Sequence, residues 1–461
     1  MTPRELAILL LLFVVSLPAV TLRLYASDEV EYFSFLRSLY FDRDVSFENE
    51  YRHFYDSGVV RTPGFKETFL DPPTETGLRR NFGTMGSAIL WAPFYVAADA
   101  GVRIARAAGS EIAADGYSKP YVAATCLGSA VYGFLAILLS IRAARDIAGS
   151  GVLAGAIVWF GTPLLFYMYV APGFAHATSA FAVALFVTIW LHVRQAWRPG
   201  GVVLLAASGA LMTMVREQDA FFVIGPIVDF LGGLWITVRT ADTREKAQVL
   251  RRSVVFGILA FVAFVIVFTP QLAAYQAING RFGPSPTVSR KMYWTSPHAL
   301  EVLLSPSHGL FFWTPLALIA AAGLVWLAIS TTGGTRRLAV AMMAMMAATV
   351  YVTGSVDSWS LAGAFGQRRF INLTPLLVVG FATLLSGMTG LARTTVVVLC
   401  AVCVWWNLAL MAMFGANLMS RQRLELRHNA YTAFVTLPAM LPELVYRYVF
   451  DRASFYKRPA D

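Results

Sequence analysis

The chain has 461 residues, 57% hydrophobic and only 14% charged, with mean hydropathy +0.60 and a formal net charge of +10. That composition excludes an ordinary soluble globule, in which about 25% of residues are charged. Nor does the basic excess point to nucleic acid. Its arginines cluster between hydrophobic runs, at Arg142 and Arg145, Arg194 and Arg198, Arg239 through Arg252, Arg336-Arg337 and Arg393, as in the cytoplasmic loops of a membrane protein.

A crossing helix needs about 20 predominantly apolar residues. The first such run, 6–26, follows Arg4 and reads as a retained signal-anchor with its N-terminus inside. The loose cleavage-like Ala26-Ser27 follows an apolar run too long for a signal-peptide core. Segment 27–119 is too polar for lipid and reads as a long first outer loop holding two or three short helices. Within it, 83–104 is apolar, but a crossing there would invert every later basic cluster. It is therefore expected as a re-entrant or juxtamembrane helix on the outer face.

Further crossings are expected near 120–141, 151–170, 175–193, 201–215, 220–238, 253–273, 309–329, 338–354, 370–388 and 395–414. The expected fold is an all-α polytopic membrane protein of about 11 transmembrane helices, with a membrane domain at 1–414 and an outer-side interfacial tail at 415–461. Two more outer segments stand out. One, 274–308, is rich in Gly, Pro and aromatic residues, and the other, 355–369, carries Trp359 and Arg368-Arg369. The tail holds the basic stretch Arg421 to Arg427, then an apolar segment, 437–449, that reads as an amphipathic element with Tyr446, Tyr448 and Phe450 at headgroup depth.

Chemistry is sought first at Asp28-Glu29, where the first apolar run meets water. A carboxylate at a partly dry interface can take a proton from an attacking hydroxyl; acidic residues are also common wherever a helix enters water. Asp42, Asp44, Ser46, Glu48 and Glu50 alternate with other residues, a pattern open to Ca²⁺ or Mg²⁺. The glycine and spacing of a calcium loop are missing, so a solvated acidic face is the expectation, and no metal or other cofactor is signalled.

Arg216 ends a hydrophobic run, where charge is costly and is paired or functional. Arg290-Lys291 and Arg368-Arg369 lie in outer loops, where a guanidinium suits a phosphate bidentately and an ammonium acts as a point charge; snorkelling or pairing with outer acids is the plainer use of each. His53, His176, His298 and His308 show no zinc spacing. Cys126, Cys400 and Cys403 all lie in apolar runs, where packing explains them better than the CxxC spacing of the last two. No nucleotide-binding loop or nucleophile elbow is present.

Three segments, in order, resemble the GT-C class of integral-membrane glycosyltransferases, whose relatives include protein O-mannosyltransferases and the lipid A aminoarabinose transferase. They are Ser27-Asp-Glu-Val-Glu-Tyr32 with Ser38 to Asp44 and Asn49 to Tyr51, then Leu304 to Pro315, then Trp359 to Arg369. The pattern Gly161-Thr-Pro163, Tyr167, Pro172, His176 also fits. Ser27 stands where the family carries glycine, Glu31 where it carries histidine, and Leu361-Ala362 interrupt its glycine pair.

The resemblance implies a helical bundle in the cell inner (plasma) membrane, with outer loops enclosing a cavity at the outer leaflet. It implies a polyprenyl-phosphate sugar donor and a glycan, lipid or protein acceptor. Asp28 would be the base that deprotonates the acceptor hydroxyl, and Glu29 would bind sugar or acceptor hydroxyls. Arg368, Arg369, Arg216 and Lys291 would meet the leaving phosphate, and Trp359 with Trp294 would offer a stacking face. Two other readings stay open, a lipid-linked-sugar flippase or transporter and a non-catalytic glycolipid-binding protein. Transporters place charge near the midplane on broken helices in related halves, whereas here the ionisable residues collect in outer segments.

Overall fold

The computed structural model describes residues 1–60, 63–361 and 363–456; Ala362 of the third motif and tail residues 457–461 lie outside them. Among the described residues the regular structure is helical, apart from one isolated antiparallel bridge between Pro73 and Arg79. In chain order come α1 (Pro3–Ser16), α2 (Ser27–Arg37), α3 (Glu48–Asp56), α4 (Gly86–Ala107), α5 (Lys119–Ala148), α6 (Val152–Gly161) and α7 (Leu164–Tyr169). Next are α8 (His176–Val193), α9 (Pro199–Val215), α10 (Ile224–Thr240) and α11 (Thr243–Asn279). Short helices α12 (Pro286–Arg290), α13 (Glu301–Leu304) and α14 (Leu310–Trp313) lead to α15 (Leu316–Ser330), α16 (Gly333–Ser355), α17 (Thr374–Ser386) and α18 (Gly390–Gly415). The tail forms α19 (Leu426–Tyr431) and α20 (Leu437–Phe450).

The chain is an all-α polytopic membrane protein. Among the described residues, eight stretches are long and apolar enough to cross a bilayer: α4, α5, α8, Glu217–Thr240, α11, α16, Arg368–Ser386 and α18. Three shorter apolar helices, α6, α9 and α15, accompany them. The region expected at 83–104 is one continuous helix, α4, and it belongs to the eight.

Apolar run 6–26 is not one helix. α1 stops at Ser16, a 3₁₀ turn follows at Leu17–Ala19, and Val20 is extended. Pro18 has no N–H to continue the helix, and 14 residues reach only about 21 Å against ~30 Å of hydrocarbon. Two other expected crossings are interrupted at a Thr-Pro step, Thr162-Pro163 between α6 and α7 and Thr314-Pro315 between α14 and α15. Hydropathy averages over such breaks, so the run looks continuous where the backbone is not.

The helices gather into two compact units. One takes Met1–Val20, Ile137–Val170 and the chain from Tyr293 onward; the other takes Thr21–Ala136 and Ala171–Met292. In the first, α15 and α17 approach backbone to backbone. A Cβ on Gly323 would stand 1.9 Å from the Gly380 carbonyl oxygen, and one on Gly380 2.1 Å from that of Ala320. Small residues at a crossing allow this close approach, which dispersion then rewards. Asn407 of α18 donates to the carbonyls of Phe160 (2.9 Å) and Thr162 (3.1 Å) at the end of α6, where the Thr162 carbonyl also accepts the Leu165 N–H at 3.3 Å.

In the second unit α9 packs against both α8 and α11. The start of α4 abuts the end of α9 so closely that a Cβ on Gly86 would stand 2.3 Å from Val215 N. Thr84 Oγ1 donates to the Val215 carbonyl at 2.9 Å, and Gln271 of α11 accepts the Met85 N–H at 2.9 Å. Arg194 holds Asp229 bidentately at 2.7 and 2.9 Å, so that these charges are buried as a pair.

Candidate functional site

Asp28 is the second residue of α2, half-buried at the helix N-terminus, where the dipole favours an anion. The helix starts there because Ala26 is extended and Glu29 folds back over it. Glu29 Oε2 accepts the N–H groups of Tyr25 (2.7 Å) and Ala26 (3.0 Å). Glu29, expected to meet sugar hydroxyls, is fully buried, and its Oε1 has no hydrogen-bond partner. Burial pushes its carboxyl up to about 7, against the pull of the two N–H bonds.

Glu31 is also buried. Its Oε1 accepts the Phe82 N–H at 2.6 Å, while its own carbonyl accepts from Asn81 Nδ2 at 2.9 Å. Burial, reinforced by the charge on Asp28, raises it well above the usual carboxylate range. The opening of α2 thus carries three carboxyls with two jobs. Glu29 and Glu31 fasten backbone, and Asp28 is the half-exposed one.

The acidic stretch that follows is not a solvated face throughout. α3 turns Glu50, Tyr51 and Phe54 inward. The fully buried Glu50 pairs with Arg37 at 3.0 Å, and burial pushes it up to about 7. Arg37 also binds Asp42 and lies 4.5 Å over the Tyr117 ring. Glu48 binds Arg79, and Asp44 accepts from Ser38 Oγ at 2.7 Å. These acids therefore fasten α2 and α3 to their flanking loops. Among the described residues, no group of three or more His, Cys, Asp or Glu side chains could hold a metal ion.

Of the basic residues in this unit, Arg216 caps the end of α9. With the Gln218 amide oxygen turned toward it, its guanidinium donates at 2.6 and 3.2 Å. Lys291 is exposed at the end of α12. Next to Arg216, Glu217 accepts from the Tyr275 hydroxyl, and buried Asp219 accepts from Ser179 Oγ at 2.6 Å.

The remaining motif segments converge in the other unit. The Tyr167 hydroxyl donates to the Phe365 carbonyl at 3.2 Å, and the Phe166 and Phe365 rings stack at 4.5 Å. His308, fully buried with a left-handed backbone (φ 65°), stacks on Trp313 at 4.7 Å. Its Nε2 lies 2.9 Å from the Ala364 carbonyl. Burial lowers its pKa, so the neutral imidazole is favoured at neutral pH. Gly366 (φ 60°) runs against Pro163, where a Cβ would stand 2.7 Å away.

Arg368 and Arg369 open the 3₁₀ turn before α17. Arg369 donates to the Ser358 carbonyl (3.0 Å) and Oγ (3.1 Å), which closes the loop on itself. Trp359 stacks on His298 at 5.3 Å and accepts Gln367 Nε2 on its carbonyl at 3.0 Å. Trp294 is exposed, and its carbonyl takes the Tyr351 hydroxyl at 2.7 Å. Two bonds from the tail complete the cluster. The Arg421 carbonyl accepts the Gly363 N–H at 3.0 Å, and the Leu424 N–H donates to the Pro306 carbonyl at 2.9 Å.

The expected site residues therefore divide, with Asp28, Glu29, Arg216 and Lys291 in one unit and Trp359, Arg368 and Arg369 in the other. Sequence reasoning assigned no role to Glu31 and expected Glu50 on a solvated acidic face, whereas both are buried. It also missed the tail's bonds to both motif loops, which have no local signature. No family model and no curated protein matches the chain. Among solved structures it is similar to a crystal structure of ArnT from Cupriavidus metallidurans in the apo state, at 15% identity, over 97% of this chain and 77% of that chain, with a TM-score of 0.48.

Proposed function

We propose that this protein is a membrane glycosyltransferase of the GT-C type, moving a sugar from a polyprenyl-phosphate donor to an acceptor hydroxyl on the outer face of the membrane. The observation that carries the reading is the convergence of Gly161–Tyr167, 304–315 and 359–369, far apart in sequence, on one buried cluster next to the 3₁₀ turn that Arg368 opens. Those are the segments that carry the family resemblance, and the other resembling segment places Asp28 on the first turn of a helix.

In this reading the acceptor oxygen forms a bond to the anomeric carbon as the bond from that carbon to the phosphate oxygen breaks. Asp28 takes the acceptor proton, and polyprenyl phosphate leaves with the electron pair and inversion at carbon. Charge grows on the phosphate, which is where fixed guanidinium groups stabilise the transition state most. Arg368 is assigned this role, with Arg216 and Lys291 as further cations. Arg369 is tied to Ser358 and holds the loop.

The test is release of polyprenyl phosphate from a panel of polyprenyl-phosphate sugars by the purified protein in lipid, with cell-envelope extract supplying acceptors. Release that requires extract and is lost in Asp28→Asn supports the transferase. Donor binding without release, with Asp28→Asn indistinguishable from the parent, moves the protein to a flippase or glycolipid-presenting role.

A further inference from the structure

The tail is bonded to the end of α1. Three consecutive carbonyls that the Pro18 break leaves without helical partners accept from it: Pro18 from Arg452 Nη2 (2.8 Å), Ala19 from the Tyr448 hydroxyl (2.8 Å) and Val20 from Arg452 Nη1 (2.9 Å). Arg452 Nε closes back on the Tyr448 carbonyl at 3.0 Å, and its guanidinium lies 4.3 Å over the Tyr448 ring. A planar fork engaged at every nitrogen makes a rigid latch.

α20 faces two ways. Leu437 and Leu444 are buried, whereas Val445 (57%), Tyr446 (63%), Val449 (58%) and Phe450 (74%) are exposed along one side. That apolar strip is joined through the latch to α1, whose Leu11, Val14 and Val15 are equally exposed on a helix that meets lipid. Between 421 and 452 the tail carries five arginines against three acids.

We propose that the tail is a membrane-docking element. The apolar strip of α20 lies in an anionic phospholipid surface, at the face where α1 ends, and Arg452 and Tyr448 lock it there. Charge complementarity selects anionic headgroups, and the strip supplies the buried apolar area.

The experiment uses full-length protein with Cys126, Cys400 and Cys403 replaced by alanine and a single cysteine added at an exposed position, monodispersity serving as the folding check. In nanodiscs containing phosphatidylglycerol, a spin label on Val449→Cys is expected to be reached by dissolved oxygen and shielded from a water-soluble nickel chelate. Free access by the chelate overturns docking on lipid. So does shielding from both relaxants, which means that protein covers the strip.

Discussion

Glu29 gives the sharpest test of how the Asp28 segment is held. Its carboxyl is fully buried and raised from 4.5 to about 7 by burial. Because the folded value exceeds the unfolded one, its contribution to stability is complete below pH about 4.5. It falls as pH rises and the unfolded state ionises first, then levels off once pH passes about 7. At ~1.4 kcal/mol per unit, the interval is worth about 3 kcal/mol.

Glu29→Gln keeps a carbonyl oxygen for the N–H groups of Tyr25 and Ala26 and carries no charge at any pH. Thermal unfolding of the full-length protein in detergent should therefore show parent and variant alike near pH 4.5, with the variant about 3 °C higher near pH 8. Glu31 and Glu50 titrate in both proteins, so they cancel from the difference. A pH-independent gap, or a variant less stable than the parent near pH 8, would refute the argument. Either result would mean that the buried carboxyl is held as an anion.

The close crossing of α15 and α17 predicts that Gly323→Ala, with its Cβ 1.9 Å from a carbonyl oxygen, destabilises the protein by about 1–3 kcal/mol, read as a lower unfolding midpoint. Asn407→Leu leaves the Phe160 and Thr162 carbonyls without its amide and should cost about 1–3 kcal/mol by the same measurement; an unchanged midpoint would mean that the break repairs itself with water. Asp28→Asn should lose polyprenyl-phosphate release without lowering the parent's unfolding midpoint, because Glu29 and Glu31 still fasten the backbone and the charge that opposes ionisation of Glu31 is removed.

The helical class and most of the apolar segments were legible because about 20 apolar residues in a row have few other fates. The breaks were less legible. Pro163 and Pro315 are visible in the sequence, but whether a proline kinks a helix or ends it depends on what receives the freed carbonyls, and that partner lies far along the chain, as Asn407 does for Thr162. Glu50 was misjudged for a related reason. An acidic run looks solvated until Arg37, on the preceding helix, is placed beside it. The tail's amphipathic pattern was readable, yet nothing local marks Tyr448 and Arg452 as partners of residues some 430 positions earlier.

These breaks explain how irregular backbone can persist in so apolar a protein. Non-helical backbone at membrane depth is tolerated only where its polar groups are met. Here the partners come from distant chain: Asn407 meets the end of α6, Arg452 and Tyr448 meet the end of α1, and in the outer motif loops Arg421 and Leu424 meet the 363 and 306 backbones. Because two of the three lie on the tail, the segment that looks most dispensable by position also fastens the motif loops. Cutting the chain after Gly415 should therefore leave α15 and α17 packed, through contacts the tail does not share, while the loops carrying His308 and Arg368 gain amide exchange. Exchange that rises uniformly across both helices as well would show that the tail holds the whole unit together and not those loops in particular.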